Sequence, residues 1–165
     1  MSNWLSLLQA SFIIHLLQPW HANHNKRLIK SPKLYFYDTG LVCRLLRIRD
    51  AEDLNNHPLK GQIFETFVIG EYYKLYYNKG LDIPAYFYRE AGGAEIDLII
   101  QNGAVWETIE IKSAQSFNPS FLANIKAFRK VTGNNCPAVV VYGGELEWEK
   151  DNTHIKSYSS LGNIP

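Results

Sequence analysis

The stretch AEIDLIIQNGAVWETIEIK, residues 94–112, decides the fold of this chain. Apolar and polar side chains alternate along Ala94–Ile100 and again along Val105–Lys112, which is typical of half-buried strands. Between them stands Asn102-Gly103, a dipeptide that favours tight hairpin turns because both residues tolerate a positive φ. The sequence therefore predicts an antiparallel β-hairpin over residues 94–112.

Charged side chains interrupt the apolar pattern of this hairpin. Because neighbouring side chains point to opposite faces of a strand, residues 95, 97 and 99 are predicted to share one face and residues 96, 98 and 100 the other. A two-residue turn at positions 102 and 103 places Asp97 opposite Thr108, whereas a four-residue loop places it opposite Glu110. Both registers predict that Asp97, Glu110 and Lys112 lie on one face, roughly 5–8 Å apart across the strands.

Two carboxylates and a lysine in one place suit phosphodiester chemistry. Mg²⁺ prefers oxygen ligands and is usually held by one or two carboxylates together with water. A bound Mg²⁺ or Mn²⁺ lowers the pKa of that water, and Lys112 could orient the water or take its proton. Glu65 is a candidate third ligand, because it borders the apolar stripe of a predicted helix and needs a polar partner. We interpret Glu65, Asp97 and Glu110 as metal ligands; solvated cross-strand charge, or a salt bridge for Glu65, is the structural alternative.

The elements around the hairpin alternate between helix and strand. The apolar spacing predicts a helix over residues 61–77, a strand over 85–89, a second helix over about 118–131 and a buried strand over 137–142. A further edge strand is expected around 154–158. From residue 61 onward the predicted order is α-β-β-β-α-β.

The first 50 residues have a different character. A helix is predicted over residues 2–18, followed by two short strand-like runs at 26–30 and 33–37 and by a helix over about 39–47 that Asp38 caps. This order predicts a partial winged-helix-like segment with a basic hairpin over residues 1–50. A linker over 51–60 and a second domain over 61–165 complete the predicted organisation.

The net charge of +1 conceals an uneven distribution along the 165 residues. Residues 1–50 carry a net charge of +5 and residues 51–165 a net charge of −4. A basic segment of this kind can grip nucleic-acid backbone, although a solvated strand face would look the same. The candidate phosphate contacts are Lys26, Arg27, Lys30 and Lys33.

Cysteine content and hydropathy indicate the cellular compartment of the chain. The two cysteines cannot form a disulfide framework, so a reducing compartment is expected. The sequence has no apolar run near the roughly 18 residues that a membrane span needs. We expect a cytoplasmic protein without a membrane partner.

With its hairpin, its lysine and its element order, the chain resembles the PD-(D/E)XK superfamily, which has the restriction-endonuclease-like fold. The resemblance covers about residues 60–142 and implies an α/β fold with an αβββαβ core. It implies that Asp97 is the metal-binding aspartate, that Glu110 and Lys112 are the (D/E)XK pair, and that Glu65 is the helical glutamate of many members. Mg²⁺ or Mn²⁺ is the implied cofactor.

A second resemblance spans nearly the whole chain. The segments KRLIKSPKLYFYDTGL at residues 26–41, GQIFETFV at 61–68 and EIKS at 110–113 resemble the C-terminal domain of a family of bacterial and archaeal AAA+ ATPases. This resemblance implies a P-loop ATPase module as a partner. The chain itself has no G-x-x-x-x-G-K-[ST] motif, so ATP binding is not expected of it. We expect an expressed fragment or a truncated gene product.

Two functions remain open at the level of the sequence. The first is a metal-dependent nuclease-like domain that acts on phosphodiester bonds, with DNA as the favoured nucleic acid. The second is a catalytically inactive DNA-binding or ATPase-docking module with the same fold. Pairing with a second copy through residues 1–20 is a further expectation.

Overall fold

The predicted hairpin lies at the centre of one large sheet. In the computed structural model, which describes residues 3–20, 31–90 and 93–163, strand Glu95–Asn102 pairs antiparallel with strand Val105–Lys112. Leu98 lies opposite Ile109, and the pairing runs without a shift to Asn102 opposite Val105. Of the two registers left open, the structure has the one predicted for the longer loop, but a two-residue turn closes it. Asn102 pairs with Val105, so the turn is Gly103-Ala104 and not the predicted Asn102-Gly103.

The described residues form five α-helices and eight strands. In chain order they are α1 Asn3–Ala10, β1 Ile14–Pro19, β2 Lys33–Phe36, α2 Thr39–Leu45, α3 Ala51–Asn56, α4 Lys60–Tyr77, β3 Ala85–Arg89, β4 Glu95–Asn102, β5 Val105–Lys112, α5 Ala123–Thr132, β6 Ala138–Tyr142, β7 Trp148–Lys150 and β8 Thr153–Ser157. Short 3₁₀ turns cover Pro119–Leu122 and Tyr158–Asn163. The strands form a single mixed sheet in the order β2-β1-β3-β4-β5-β6-β8-β7. The predicted α-β-β-β-α-β order from α4 to β6 is confirmed.

Helices cover both faces of this sheet. On one face α4 buries Val68 and Ile69 against Leu98 and Ile109. On the other face Phe128 of α5 packs in a second apolar cluster over β4, β6 and β8. Burying both faces explains why β6 is apolar throughout its length. The fold is therefore a mixed α/β sheet enclosed between helices.

The helix predicted over residues 2–18 is wrong beyond Ala10. The chain reverses at Phe12, whose φ is 54°, and Ile14–Pro19 forms a strand. This strand pairs antiparallel with β2 and parallel with β3. An apolar run of this length is compatible with either a helix or a buried strand. Pairing with the edge of β3 favours the strand.

The segment before residue 61 joins the sheet instead of standing apart from it. The run at 26–30 of the predicted basic hairpin lies outside the described residues, whereas β2 forms as predicted. Asp38 caps α2 as predicted, since its carboxylate accepts from the backbone N–H groups of Gly40 and Leu41. Within the predicted linker, Ala51–Asn56 forms the short helix α3, which Asp50 caps.

The predicted edge strand near the C-terminus is not at the edge. β8 lies between β6 and β7, parallel to the first and antiparallel to the second. In the part of the chain that the structure describes, every helix is too short or too polar to span a bilayer.

His15 of β1 is buried in an aromatic environment. Its ring centroid lies 4.2 Å from that of Tyr73 and 5.6 Å from that of Tyr35. Neither ring nitrogen finds a hydrogen-bond partner among the described residues. Burial without such a partner disfavours the charged ring and lowers the pKa of His15 from 6.5 to about 4.

This lowered pKa makes stability depend on pH. Between pH 6.5 and pH 4, His15 is protonated in the unfolded chain but stays neutral in the folded chain. The free energy of unfolding therefore falls by about 2–3 kcal/mol as the pH is lowered. We expect His15→Phe to remove this loss in urea unfolding curves measured at several pH values. The exposed His154 provides the control, and His154→Phe should keep the wild-type pH dependence. Identical pH profiles for wild type and His15→Phe would contradict the assignment.

Candidate functional site

Asp97 is a buried carboxylate inserted between two strands. It is 8% exposed, and its Oδ2 accepts from the backbone N–H of Ile111 at 2.8 Å. The regular pairing of β4 with β5 ends at Leu98 and Ile109, and beyond it the carboxylate of Asp97 accepts from a backbone N–H of β5. Asp97 is therefore fixed against β5 at Ile111, which stands between Glu110 and Lys112.

An irregularity in β4 changes the alternation predicted for this strand. Between Tyr86 and Tyr88 the register of β3 with β4 shifts by one residue. As a result Ile96 packs in the same cluster as Ile99, on the α5 side, while Leu98 packs on the α4 side. The prediction that residues 96, 98 and 100 share a face is wrong for residue 96. Strand bulges of this kind commonly redirect a side chain at functional sites.

Glu110 is the most deeply buried acidic group of the candidate site. It is 1% exposed, and its Oε1 accepts from Lys112 Nζ at 2.6 Å and from Asn124 Nδ2 at 3.0 Å. Its Oε2 is buried and finds no hydrogen-bond partner in the described part of the chain. A buried carboxylate oxygen without a partner is costly, so this atom points to a missing donor or cation.

Glu65 is held by two residues of β2. The hydroxyl of Tyr35 donates to its Oε1, and Lys33 Nζ lies 3.3 Å from the same oxygen. Lys33 also bonds Glu95 Oε1 at 2.7 Å, while Arg89 Nε lies 3.3 Å from Glu95 Oε2. Lys33 thus bridges a helix and a strand that are distant in sequence.

The charges of these groups act on one another. Burial, followed by the charges of Glu110 and Glu65, raises the pKa of Asp97. Burial also raises the pKa of Glu110, and Lys112 opposes that effect. For Lys112 burial alone would lower the pKa, but the carboxylates of Glu110 and Asp97 outweigh it and raise the pKa. The residues form one electrostatic cluster.

The cluster suits a divalent cation in charge and in ligand type. The cluster contains two lysines, Lys33 and Lys112, and four carboxylates, those of Glu65, Glu95, Asp97 and Glu110. Carboxylate oxygens are the ligands that Mg²⁺ and Mn²⁺ prefer. The unpartnered Oε2 of Glu110 offers a ready ligand atom. Within residues 3–20, 31–90 and 93–163, however, no three His, Cys, Asp or Glu side chains are arranged so that they could hold a metal ion.

The predicted site residues have different outcomes. The structure brings Asp97, Glu110 and Lys112 into one cluster and places Glu65 within its electrostatic reach. Lys33, predicted to contact phosphate, instead faces carboxylates. The other predicted phosphate contacts, Lys26, Arg27 and Lys30, lie outside the described residues. Their role and the metal role stay predictions.

Two residues of the cluster were not anticipated from the sequence. Tyr35 stands two positions after Lys33, so strand alternation could have placed both on one face of β2. Asn124 gave no signal of its own, because its contact with Glu110 depends on how α5 docks on the sheet.

Two family models match different parts of the chain. Residues 60–161 match a family described as a domain of unknown function, DUF4143, and the chain belongs to that family. Residues 1–52 match a second domain of unknown function, DUF8612. The cluster therefore combines Lys33 and Tyr35 of the first region with Glu65, Asp97 and Glu110 of the second.

The relatives that are similar to this chain are uncharacterized. An uncharacterized protein of Mycobacterium tuberculosis, Rv2008c, is 31% identical over 150 residues, and so is Mb2031c, an uncharacterized protein of Mycobacterium bovis. The matches cover 91% of this chain but 32% of each relative. The chain thus spans about a third of the length of these relatives.

The buried carboxylate of Asp97 should lower the free energy of unfolding when it is ionised. Because the folded-state pKa of Asp97 is raised from 3.8 to about 8, its contribution to stability is present below pH 4 and is lost as the pH rises toward 8. We expect Asp97→Asn, measured with EDTA, to raise Tm at pH 8 by at least about 3 °C, with a smaller gain at pH 5.

The exposed Asp82 supplies the matched control for this experiment. Asp82→Asn should leave Tm unchanged at both pH values. A lower Tm for Asp97→Asn at pH 8 would mean that the negative charge stabilises the fold and would contradict this account.

Proposed function

We propose that this chain is a metal-dependent nuclease-like domain with a restriction-endonuclease-like αβββαβ core, acting on phosphodiester bonds of nucleic acid. The observation that carries the proposal is the buried, unpartnered Oε2 of Glu110, next to Lys112 and within the electrostatic reach of Asp97. Structural ion pairs rarely leave a carboxylate oxygen buried without a partner. A site that receives a cation explains it.

Asp97 and Glu110 would hold Mg²⁺ or Mn²⁺, with Glu65 as a third ligand once it is released from Lys33. The bound cation would lower the pKa of a water molecule and offset charge that develops on phosphorus. Lys112 already donates to Glu110 and lies among negative charges, which keep its ammonium protonated. In this form it can orient the attacking water and stabilise negative charge on a phosphate oxygen.

The surroundings of the site support a polyanionic substrate. Residues 1–50 carry a net charge of +5, and β2 of this segment lies at the end of the sheet order, separated from β4 by β1 and β3. Lys26, Arg27 and Lys30 immediately precede β2 and would contact the phosphate backbone of DNA. A P-loop ATPase module is the proposed partner, and the cytoplasm the proposed location.

A second candidate function is a catalytically inactive DNA-binding or ATPase-docking module with the same fold. The observation in its favour is that lysines already pair with the acidic groups: Lys112 with Glu110, and Lys33 with Glu65 and Glu95. Such internal neutralisation would let the cluster persist as a structural feature without a metal ion.

Cleavage assays distinguish the two candidates. Supercoiled plasmid and single-stranded DNA should be cut in Mn²⁺ or Mg²⁺ and left intact in EDTA. We expect Lys112→Met to lower the cleavage rate by about 10²-fold or more, since it removes a group that positions water and charge. Lys150→Met, on the exposed strand β7, should cut as the wild type does.

The outcomes separate the proposals clearly. Cleavage by Lys112→Met at the wild-type rate would contradict the nuclease assignment. Such cleavage would not depend on the proposed site and would be that of a contaminating enzyme. DNA binding without cleavage in either metal would favour the inactive module.

A further inference from the structure

We propose that Lys33 is an internal cation that competes with a divalent ion for Glu65, and that the ion must displace it from Glu65 to gain this third carboxylate. The inference rests on the proposed metal site and adds to it a closed state, in which Glu65 is bound to β2, and an open state, in which Glu65 faces the metal.

The contacts of Lys33 are those of a built ammonium site. Its Nζ lies 2.7 Å from Glu95 Oε1 and 3.3 Å from Glu65 Oε1. The same ammonium lies over the ring of Phe87, 5.2 Å from the ring centroid, which adds a cation–π contact. Three elements, α4, β3 and β4, thus supply its partners. The side chain is only 22% exposed, so these contacts are partly shielded from solvent.

The bonds to Glu65 leave little room for a metal ion at Oε1. This oxygen accepts from Lys33 and from the hydroxyl of Tyr35. A divalent cation at the same oxygen would compete for its lone pairs and would repel the ammonium over a distance of a few ångströms. The closed state explains why the three carboxylates Glu65, Asp97 and Glu110 are not gathered around one point in the described residues.

Release of Glu65 does not leave Lys33 without a partner. The shorter of its two ion pairs, to Glu95, can persist when the longer one to Glu65 breaks. A partly buried charge that keeps a partner avoids most of the cost of isolation. Lys33 can therefore yield one carboxylate to a metal ion and keep the other.

Mn²⁺ binding tests this inference directly. Isothermal titration calorimetry on the whole chain should give a Kd for Mn²⁺ that is at least about fivefold lower in Lys33→Met than in the wild type, because a competing positive charge is gone. Lys74→Met is the matched control. It removes the same charge from a lysine paired with Glu71 on the exposed side of α4, and its Kd should stay at the wild-type value.

A double variant identifies the carboxylate that is freed. Lys33→Met combined with Glu65→Gln should return the Kd to the wild-type value, whereas Glu65→Gln alone should change it little. Thermal unfolding curves establish that each variant is folded. Lys33→Gln, which removes the charge but keeps a hydrogen-bond donor, replaces Lys33→Met if the latter does not fold.

Two failures are distinguishable. If the wild type binds Mn²⁺ and Lys33→Met binds it equally or more weakly, the inference is overturned and the metal site stands. If neither the wild type nor any Lys33 variant binds Mn²⁺, the proposed metal site fails, and the inference fails with it.

Discussion

The burial of carboxylates within the central sheet is the constraint on which the site depends. Asp97 and Glu110 belong to paired strands and are at most 8% exposed, and the charge of Glu110 raises the cost of ionising Asp97. Such groups persist only where hydrogen bonds and cations compensate them. The backbone N–H of Ile111, the amide of Asn124 and the ammonium of Lys112 supply part of that compensation. Among the described residues, Oε2 of Glu110 has no hydrogen-bond partner, so the compensation is incomplete at this atom.

This requirement ties the N-terminal segment to the rest of the molecule. β1 and β2 extend the sheet beyond β3, and β2 delivers Lys33 and Tyr35 to Glu65. The two family regions, residues 1–52 and 60–161, therefore share one sheet and one electrostatic cluster. A separate winged-helix-like unit would have left Glu65 and Glu95 without the lysine that links them. The cluster is a property of both regions together.

The sequence determined the local elements of the second region better than their tertiary pairing. Alternation and the turn signal predicted β4 and β5, and apolar helical spacing predicted α4. The acidic residues with Lys112 indicated the candidate site. Three features depended on tertiary contacts instead. Ile14–Pro19 satisfies a helix or a strand until β3 offers an edge, the irregularity in β4 depends on how β3 pairs with it, and the partners of Lys33 lie 32 and 62 residues further along the chain. A periodic pattern carries no information about such contacts.

The central claim is that the carboxylate pair of the sheet receives a divalent cation. A crystal structure of the chain with Mn²⁺, measured at a wavelength where manganese scatters anomalously, tests it most directly. We expect an anomalous peak within about 2.0–2.3 Å of Glu110 Oε2 and of a carboxylate oxygen of Asp97. Crystals grown at saturating Mn²⁺ that show no peak at Glu110 would contradict the account.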